Sequence, residues 1–273
     1  MVNKYFILET VNNNITKKHY VTIINNEDDD EYIINIGGLK NTCIVIQVPY
    51  RNNQAIILDI SYHEKCCLKD LLKKNKDMIE LIKCSLMFTL HNFTHITSFI
   101  LSDNSYIECN NGIRISLADL YYLKYKKTWY EKIFNAFPQN EEIYLNIKLE
   151  IEELLDIKLE YDTELFLRTF YNISNFQIIN KIRKEYKKNM TLRSFLDKMI
   201  KYECSYYSII MNTFIPNKFK SLNWIITLNN IVDYNSNCNI IEIEKPIHEH
   251  KIINNKSIIE RRHLEHNSNR KNN

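Results

Sequence analysis

Short β-branched runs recur from Tyr5 to about Tyr62, and they constrain this chain more than any other feature. Tyr20–Ile24, Tyr32–Ile36, Cys43–Val48 and Ala55–Ile60 each read as a strand. Turn chemistry separates them: the acidic Asn25–Glu31, the pair Gly37-Gly38, and Pro49–Asn53. Strand centres lie about eleven residues apart, too close for a crossover helix between parallel neighbours, so an antiparallel meander is expected. Asp28, Asp29 and Asp30 are consecutive. They lack the alternating ligands and the glycine of a calcium loop and read as a solvated hairpin tip.

The periodicity then changes. Met78, Ile79, Ile82, Leu86 and Leu90 follow three-and-four spacing, which predicts an amphipathic helix over roughly Asp77–His91. Strands are expected at Ile96–Leu101 and Tyr106–Cys109, with Asn110-Asn111-Gly112 as a hairpin turn. Ser116 can cap a helix that carries Asp119 near its positive end and runs to about Phe134, stopping before Pro138. From Glu141 to Tyr234 the pattern is helical, with Pro216 as the one hard break. Leu145, Leu149, Ile151, Leu154 and Leu155 form one apolar face, and Leu165, Leu167, Phe170, Ile173 and Phe176 another. Thr191 can cap a further helix, and Leu222, Trp224, Ile225 and Leu228 suggest a last one. Ile240–Ile243 can form a short strand, and His263–Asn273 is too polar to order itself.

The expected fold class is therefore α+β: an N-terminal antiparallel sheet with packed helices, followed by a mainly helical C-terminal half. Residues 1–138 form the α+β domain, 139–235 a helical region able to pack on it, and 236–273 a weakly ordered tail.

Composition narrows the class of function. The formal charge of +3 neither demands nor excludes a nucleic-acid partner. Apolar runs are too short to span a membrane. The seven cysteines, Cys43, Cys66, Cys67, Cys84, Cys109, Cys204 and Cys238, show no C-x-x-C spacing, and no signal peptide precedes them, so reduced thiols are expected. Asn, Ile, Lys and Tyr crowd the chain against only 3 Gly, 4 Pro and 2 Trp, a bias that follows A/T-rich codons.

Catalytic signatures fail one after another. No glycine loop followed by Lys-Ser or Lys-Thr is present, which removes phosphate-loop and dinucleotide folds. No G-x-S-x-G elbow occurs. His63 with Cys66 and Cys67 lacks the second ligand pair of a zinc site, and as a nucleophilic pair it lacks an orienting third group, so no metal is expected. The most distinctive stretch is Ile100–Pro138. Within it Lys126, Lys127, Trp129 and Tyr130 can bind a partner, the rings stacking on bases while the lysines hold phosphates. Asp103 is the one carboxylate there with a catalytic reading, against ordinary turn composition.

Two resemblances follow from these residues. Asp103-Asn104-Ser105, Ile115–Tyr121 and Thr128-Trp129-Tyr130-Glu131-Lys132 together resemble a pattern in proteins of giant, mimivirus-like DNA viruses over about forty residues. That resemblance implies a viral source and the cytoplasm of the infected host cell, but no specific role. The order of elements in the first half resembles, more weakly, the acetyl-CoA-dependent N-acetyltransferases of the GNAT type. That likeness implies acetyl-CoA as cofactor, with Asp103 and Tyr130 near the reacting centre. The segment matching that family's glycine-rich pyrophosphate turn, Cys67–Lys76, holds no glycine, which implies a degenerate copy. The expected function is thus a non-enzymatic viral interaction protein with no cofactor, binding a host factor or RNA. A GNAT-like acyltransferase, active or degenerate, is the alternative.

Overall fold

The computed structural model describes residues 4–12, 15–37, 42–60, 76–103, 105–109, 112, 114–170, 176–200, 202, 204–215, 218–220, 222–232 and 238–244. The chain is α+β, and it divides into two compact units: residues 1–97 with 232–273, and 98–231.

The first unit contains strands β1 (Lys4–Asn12), β2 (Ile15–Asn26), β3 (Glu31–Gly37), β4 (Thr42–Pro49) and β5 (Gln54–Ile60) and helix α1 (Lys76–Asn92). Consecutive strands pair antiparallel, β1 through β5, as the spacing of the β-branched runs predicted. Alternation decides which face turns inward: Phe6 and Leu8, Val21 and Ile23, Ile34 and Ile36, Ile44, Ile46 and Val48, then Ala55 and Ile57 are all buried. The helix contributes Met78, Leu81, Ile82 and Phe88 to that core, with Phe88 meeting Phe6 edge-on at 5.1 Å. Buried hydroxyls on α1 bond back to their own helix, Ser85 Oγ to Leu81 O and Thr89 Oγ1 to Ser85 O.

The second unit runs β6 (Ser98–Ser102), β7 (Tyr106–Glu108), β8 (Arg114–Ser116), α2 (Leu117–Tyr125), α3 (Trp129–Phe134), β9 (Phe137–Pro138), α4 (Glu141–Asp156), α5 (Thr163–Arg168), α6 (Phe176–Glu185), α7 (Leu192–Met199), α8 (Cys204–Phe214), β10 (Asn223–Thr227) and α9 (Leu228–Val232). A final strand, β11 (Cys238–Ile243), pairs antiparallel with β1 of the first unit, so residues expected in a weakly ordered tail include a strand.

Three expectations change here. The helix expected around Leu222–Leu228 is the strand β10, antiparallel to both β6 and β9. Trp224 and Ile226 are buried while Ile225 and Thr227 are half-exposed, a period of two that the β-branched Ile225-Ile226-Thr227 favours. The single helix expected from Ser116 to Phe134 breaks at Lys126, which takes the left-handed conformation at φ 59°. A capping box then restarts it, Thr128 N donating to Glu131 Oε2 at 2.6 Å. On α4, Ile151 and Leu155 are buried, but Leu145 and Leu149 face outward at 47% and 61% exposure, so the expected five-residue face is split.

The cysteines also depart from the expected reduced state. Cys84 is bonded to Cys238 and Cys109 to Cys204, with Cα separations of 5.7 Å and 5.4 Å. Their separations of 154 and 95 residues along the chain leave no local spacing to read. Among the described residues, no helix is long and apolar enough to cross a membrane.

Candidate functional site

The second unit carries the site, and α2 builds most of it. Ser116 Oγ accepts from Asp119 N at 3.2 Å, satisfying a free amide of the first turn. Asp119 turns inward, 1% exposed, and accepts from Phe219 N at 3.0 Å. Burial lifts the Asp119 carboxyl to about 6, against the hydrogen bonds from Phe219 and Ser116. With Ala118, Asp119 and Tyr122 facing the core, helical spacing puts Tyr121, Lys124 and Tyr125 on the outer side.

There the side chains form a cationic aromatic cluster. The Tyr121 and Tyr125 rings lie 5.2 Å apart, tilted by 50°. Lys132, from α3, places Nζ 2.9 Å from the Tyr125 centroid and 5.9 Å from that of Tyr121, and Lys124 Nζ lies 5.2 Å from Tyr125. The hydrogen bond from Lys124, together with the charges of Lys124 and Lys132, holds the Tyr125 phenol below its ordinary value. Beside the cluster opens a groove of about 310 Å³. One wall is Ile115, Leu120, Tyr121, Lys124 and Tyr125; the other is Ile200, Tyr202, Cys204 and Tyr207.

The residues expected to bind are spread over different environments. Lys126 is engaged with Glu152 at 2.7 Å, and Arg193 reaches the same carboxylate at 2.7 Å, as does the Tyr122 hydroxyl at 2.9 Å. Burial alone would raise the Glu152 carboxyl, but the hydrogen bonds from Lys126, Arg193 and Tyr122 outweigh it and bring it down to about 2. Lys127 is exposed. Trp129 is half-buried and packs edge-on against Tyr130 at 4.8 Å and Phe134 at 5.4 Å. Tyr130 is 4% exposed, inside the unit, where no base can stack on it. The residues expected from the sequence, Lys126, Lys127, Trp129 and Tyr130 within Ile100–Pro138, do not include Tyr121, Lys124 and Tyr125, although the i, i+3, i+4 spacing of these three is visible there. For Tyr202 and Tyr207 no local signal existed.

Asp103 and Tyr130, the catalytic alternative, do come together. Asp103 ends β6, is 2% exposed, and accepts from Ser105 N at 3.1 Å and Ser105 Oγ at 2.5 Å through Oδ1. Its Oδ2 is buried and has no hydrogen bond among the described residues. Burial raises the Asp103 carboxyl to about 6 against those two bonds. Burial also raises the Tyr130 phenol well above its ordinary value; the Asp103 charge adds to this and a hydrogen bond with Ser105 opposes it. Neither Asp103 nor Tyr130 lines the groove. The segment expected to hold acetyl-CoA phosphates falls at residues 67–76, of which 67–75 lie outside the described residues, as do His63, Cys66 and Cys67. Among the described residues, no group of three His, Cys, Asp or Glu side chains is placed to hold a metal ion.

The first unit has its own surface depression of about 500 Å³, where Tyr32 touches Tyr50 at 4.8 Å and Phe93 at 5.0 Å, with Lys4 and His95 also at its edge. Comparison of the chain with protein-family profiles, curated proteins and solved structures returned no match.

Proposed function

We propose that this chain is a non-enzymatic interaction protein of a giant DNA virus. It holds a macromolecular partner on the outer face of α2 and α3. RNA suits that face better than a protein host factor does. The observation that carries this reading is the pair of ammonium groups, Lys124 and Lys132, set over Tyr125 beside a groove that Tyr121, Tyr125 and Tyr202 line with exposed or half-buried rings. Tyrosine rings offer stacking faces to any base and lysines neutralise phosphates, the combination that single strands use. A duplex hides its base faces and would gain only the electrostatic part.

The test is fluorescence anisotropy with labelled single-stranded RNA of about twelve nucleotides, against a duplex of the same sequence. Single strands bind more tightly, and affinity falls with rising salt. Exchanging Lys124 and Lys132 for Glu abolishes binding, and Tyr125→Ala costs about 1–3 kcal/mol. Binding that is absent, or indifferent to the two lysines, overturns the reading.

A second reading is favoured by the meeting of Asp103, Ser105 and Tyr130 at the end of β6: a GNAT-like acyltransferase using acetyl-CoA. It requires a thermal shift with acetyl-CoA and slower turnover in Tyr130→Phe. Absence of the shift removes it.

A further inference from the structure

The two walls of the tyrosine groove are joined by a covalent bond. Cys109 directly follows β7, in the hairpin whose other strand, β8, supplies Ile115 to the groove and Ser116 to cap α2. Cys204 is the first residue of α8 and lines the opposite wall, two residues after Tyr202 and three before Tyr207. The Cys109–Cys204 bond therefore fixes the α8 wall against the hairpin that positions the α2 wall, across a chain separation of 95 residues. Cys109 is 5% exposed, whereas Cys204 is half-buried and lines the groove, so the Cys204 end is the one a reductant approaches.

We propose that this disulfide is a redox lock on the groove, and that a dithiol reductant switches partner binding off by opening it. The inference rests on the groove being the RNA-binding site proposed above. In the first step a thiolate of the reductant attacks Cys204 Sγ. The Cys204–Cys109 bond breaks, and Cys109 leaves as a thiolate that takes up a proton. The reductant's second thiol, as thiolate, then attacks its own sulfur in the mixed disulfide. Cys204 departs as a thiolate and is protonated, and the reductant leaves as a disulfide. Two electrons pass from the dithiol to the protein. With the bond open, Tyr202 and Tyr207 are no longer tied to the wall that carries Tyr121, Lys124 and Tyr125. The shape that lets bases and phosphates engage together is then lost. The Cys84–Cys238 bond lies in the other unit and lines no part of this groove, so it serves as an internal control.

The test uses the full chain with and without dithiothreitol. RNA binding is followed by anisotropy, and α8 amides from Tyr207 to Met211 by hydrogen exchange. Reduction weakens RNA binding by about tenfold or more and speeds exchange in α8. The double variant Cys109→Ser, Cys204→Ser behaves as the reduced protein and ignores dithiothreitol, while Cys84→Ser keeps the full response. Equal affinity in the two redox states overturns the lock, as does tighter binding on reduction. Unchanged exchange in α8 overturns it whatever the RNA does. If no form binds RNA while α8 exchange still responds to the dithiol, the lock on the groove stands and the RNA reading alone falls.

Discussion

Acidification should change the stability of the two units in opposite directions, because burial lowers the pKa of His19 in the first and raises those of Asp103 and Asp119 in the second. In the first unit His19 is 1% exposed and shares a hydrogen bond with Thr10 Oγ1 at 3.0 Å. Burial, with the neighbouring Lys17 charge, lowers its imidazole from 6.5 to about 4, while Asp77 pulls the other way. The unfolded chain thus binds a proton that the folded unit resists. The stability His19 contributes is complete above pH 6.5 and is lost as the pH falls towards 4, by about 3 kcal/mol in all. In the second unit Asp103 and Asp119 stand at about 6 against 3.8 in the unfolded chain, so the folded state holds protons more tightly. Between pH 6 and 3.8 each carboxyl adds about 3 kcal/mol to stability as it protonates. Asp103 raises Asp119 electrostatically, so the two gains are not independent. Glu152 acts lower, between about 4.5 and 2, outside the window. Hydrogen exchange, corrected for intrinsic rates, reads both units in one sample through the central strands β4 and β10. On going from about pH 7 to about pH 5, protection in β4 falls and protection in β10 rises. Asp119→Asn flattens the rise, and His19→Gln flattens the fall. Protection moving the same way in both units would falsify the argument, as would an unchanged slope in Asp119→Asn.

Three smaller tests follow from single side chains. Ser116→Ala removes the hydroxyl that caps α2 and lowers the stability of the second unit by about 1 kcal/mol in urea unfolding. Phe195→Ala empties a site where the ring is 0% exposed and meets Phe166 at 5.3 Å and Tyr186 at 6.1 Å; calorimetry should show a loss of about 3–5 kcal/mol. Lys126→Ala breaks the pair with Glu152, in which Lys126 is 48% exposed, and changes stability by less than about 1 kcal/mol while leaving RNA anisotropy near that of the parent.

The meander was legible because one signal, alternation between turns, fixes pairing, register and the inner face together. Val21, Ile34, Ile46 and Ala55 could be placed inside from that alternation alone. The strand β10 was misread because Leu222, Trp224, Ile225 and Leu228 also satisfy a helical period, and a run of five residues cannot separate the two. What decided it was the partner strand: Trp224 sits opposite Leu101 and Ile226 opposite Phe99, contacts across more than a hundred residues that no local pattern encodes. The break between α2 and α3 was encoded locally. Thr128-x-x-Glu131 is a capping box, and it marks a new helix start three residues after Tyr125. Disulfide pairing and the Tyr202–Tyr207 wall were not legible, since both depend on where α8 lies against the β7–β8 hairpin.

The second unit hides one set of polar side chains and offers another. Asp103, Ser105 and Tyr130 carry the reactive-looking groups, but the end of β6 and the inner side of α3 bury Asp103 and Tyr130 away from any substrate. Tyr121, Lys124 and Tyr125 carry only stacking faces and charge, yet α2 turns them outward. On the inner side of α2, beside buried Ala118 and Tyr122, Asp119 accepts from Phe219 N and ties the helix to that segment. An asparagine keeps an oxygen for that bond and removes the buried charge. Asp119→Asn should therefore stabilise the unit at neutral pH while leaving the tyrosine face in place. Asp119→Leu removes the acceptor as well, leaves the Phe219 amide unsatisfied in the core and loosens α2 from that segment. RNA affinity that survives the first exchange and fails in the second ties the proposed face to the seating of this one helix. Equal affinity in both would place the binding surface elsewhere.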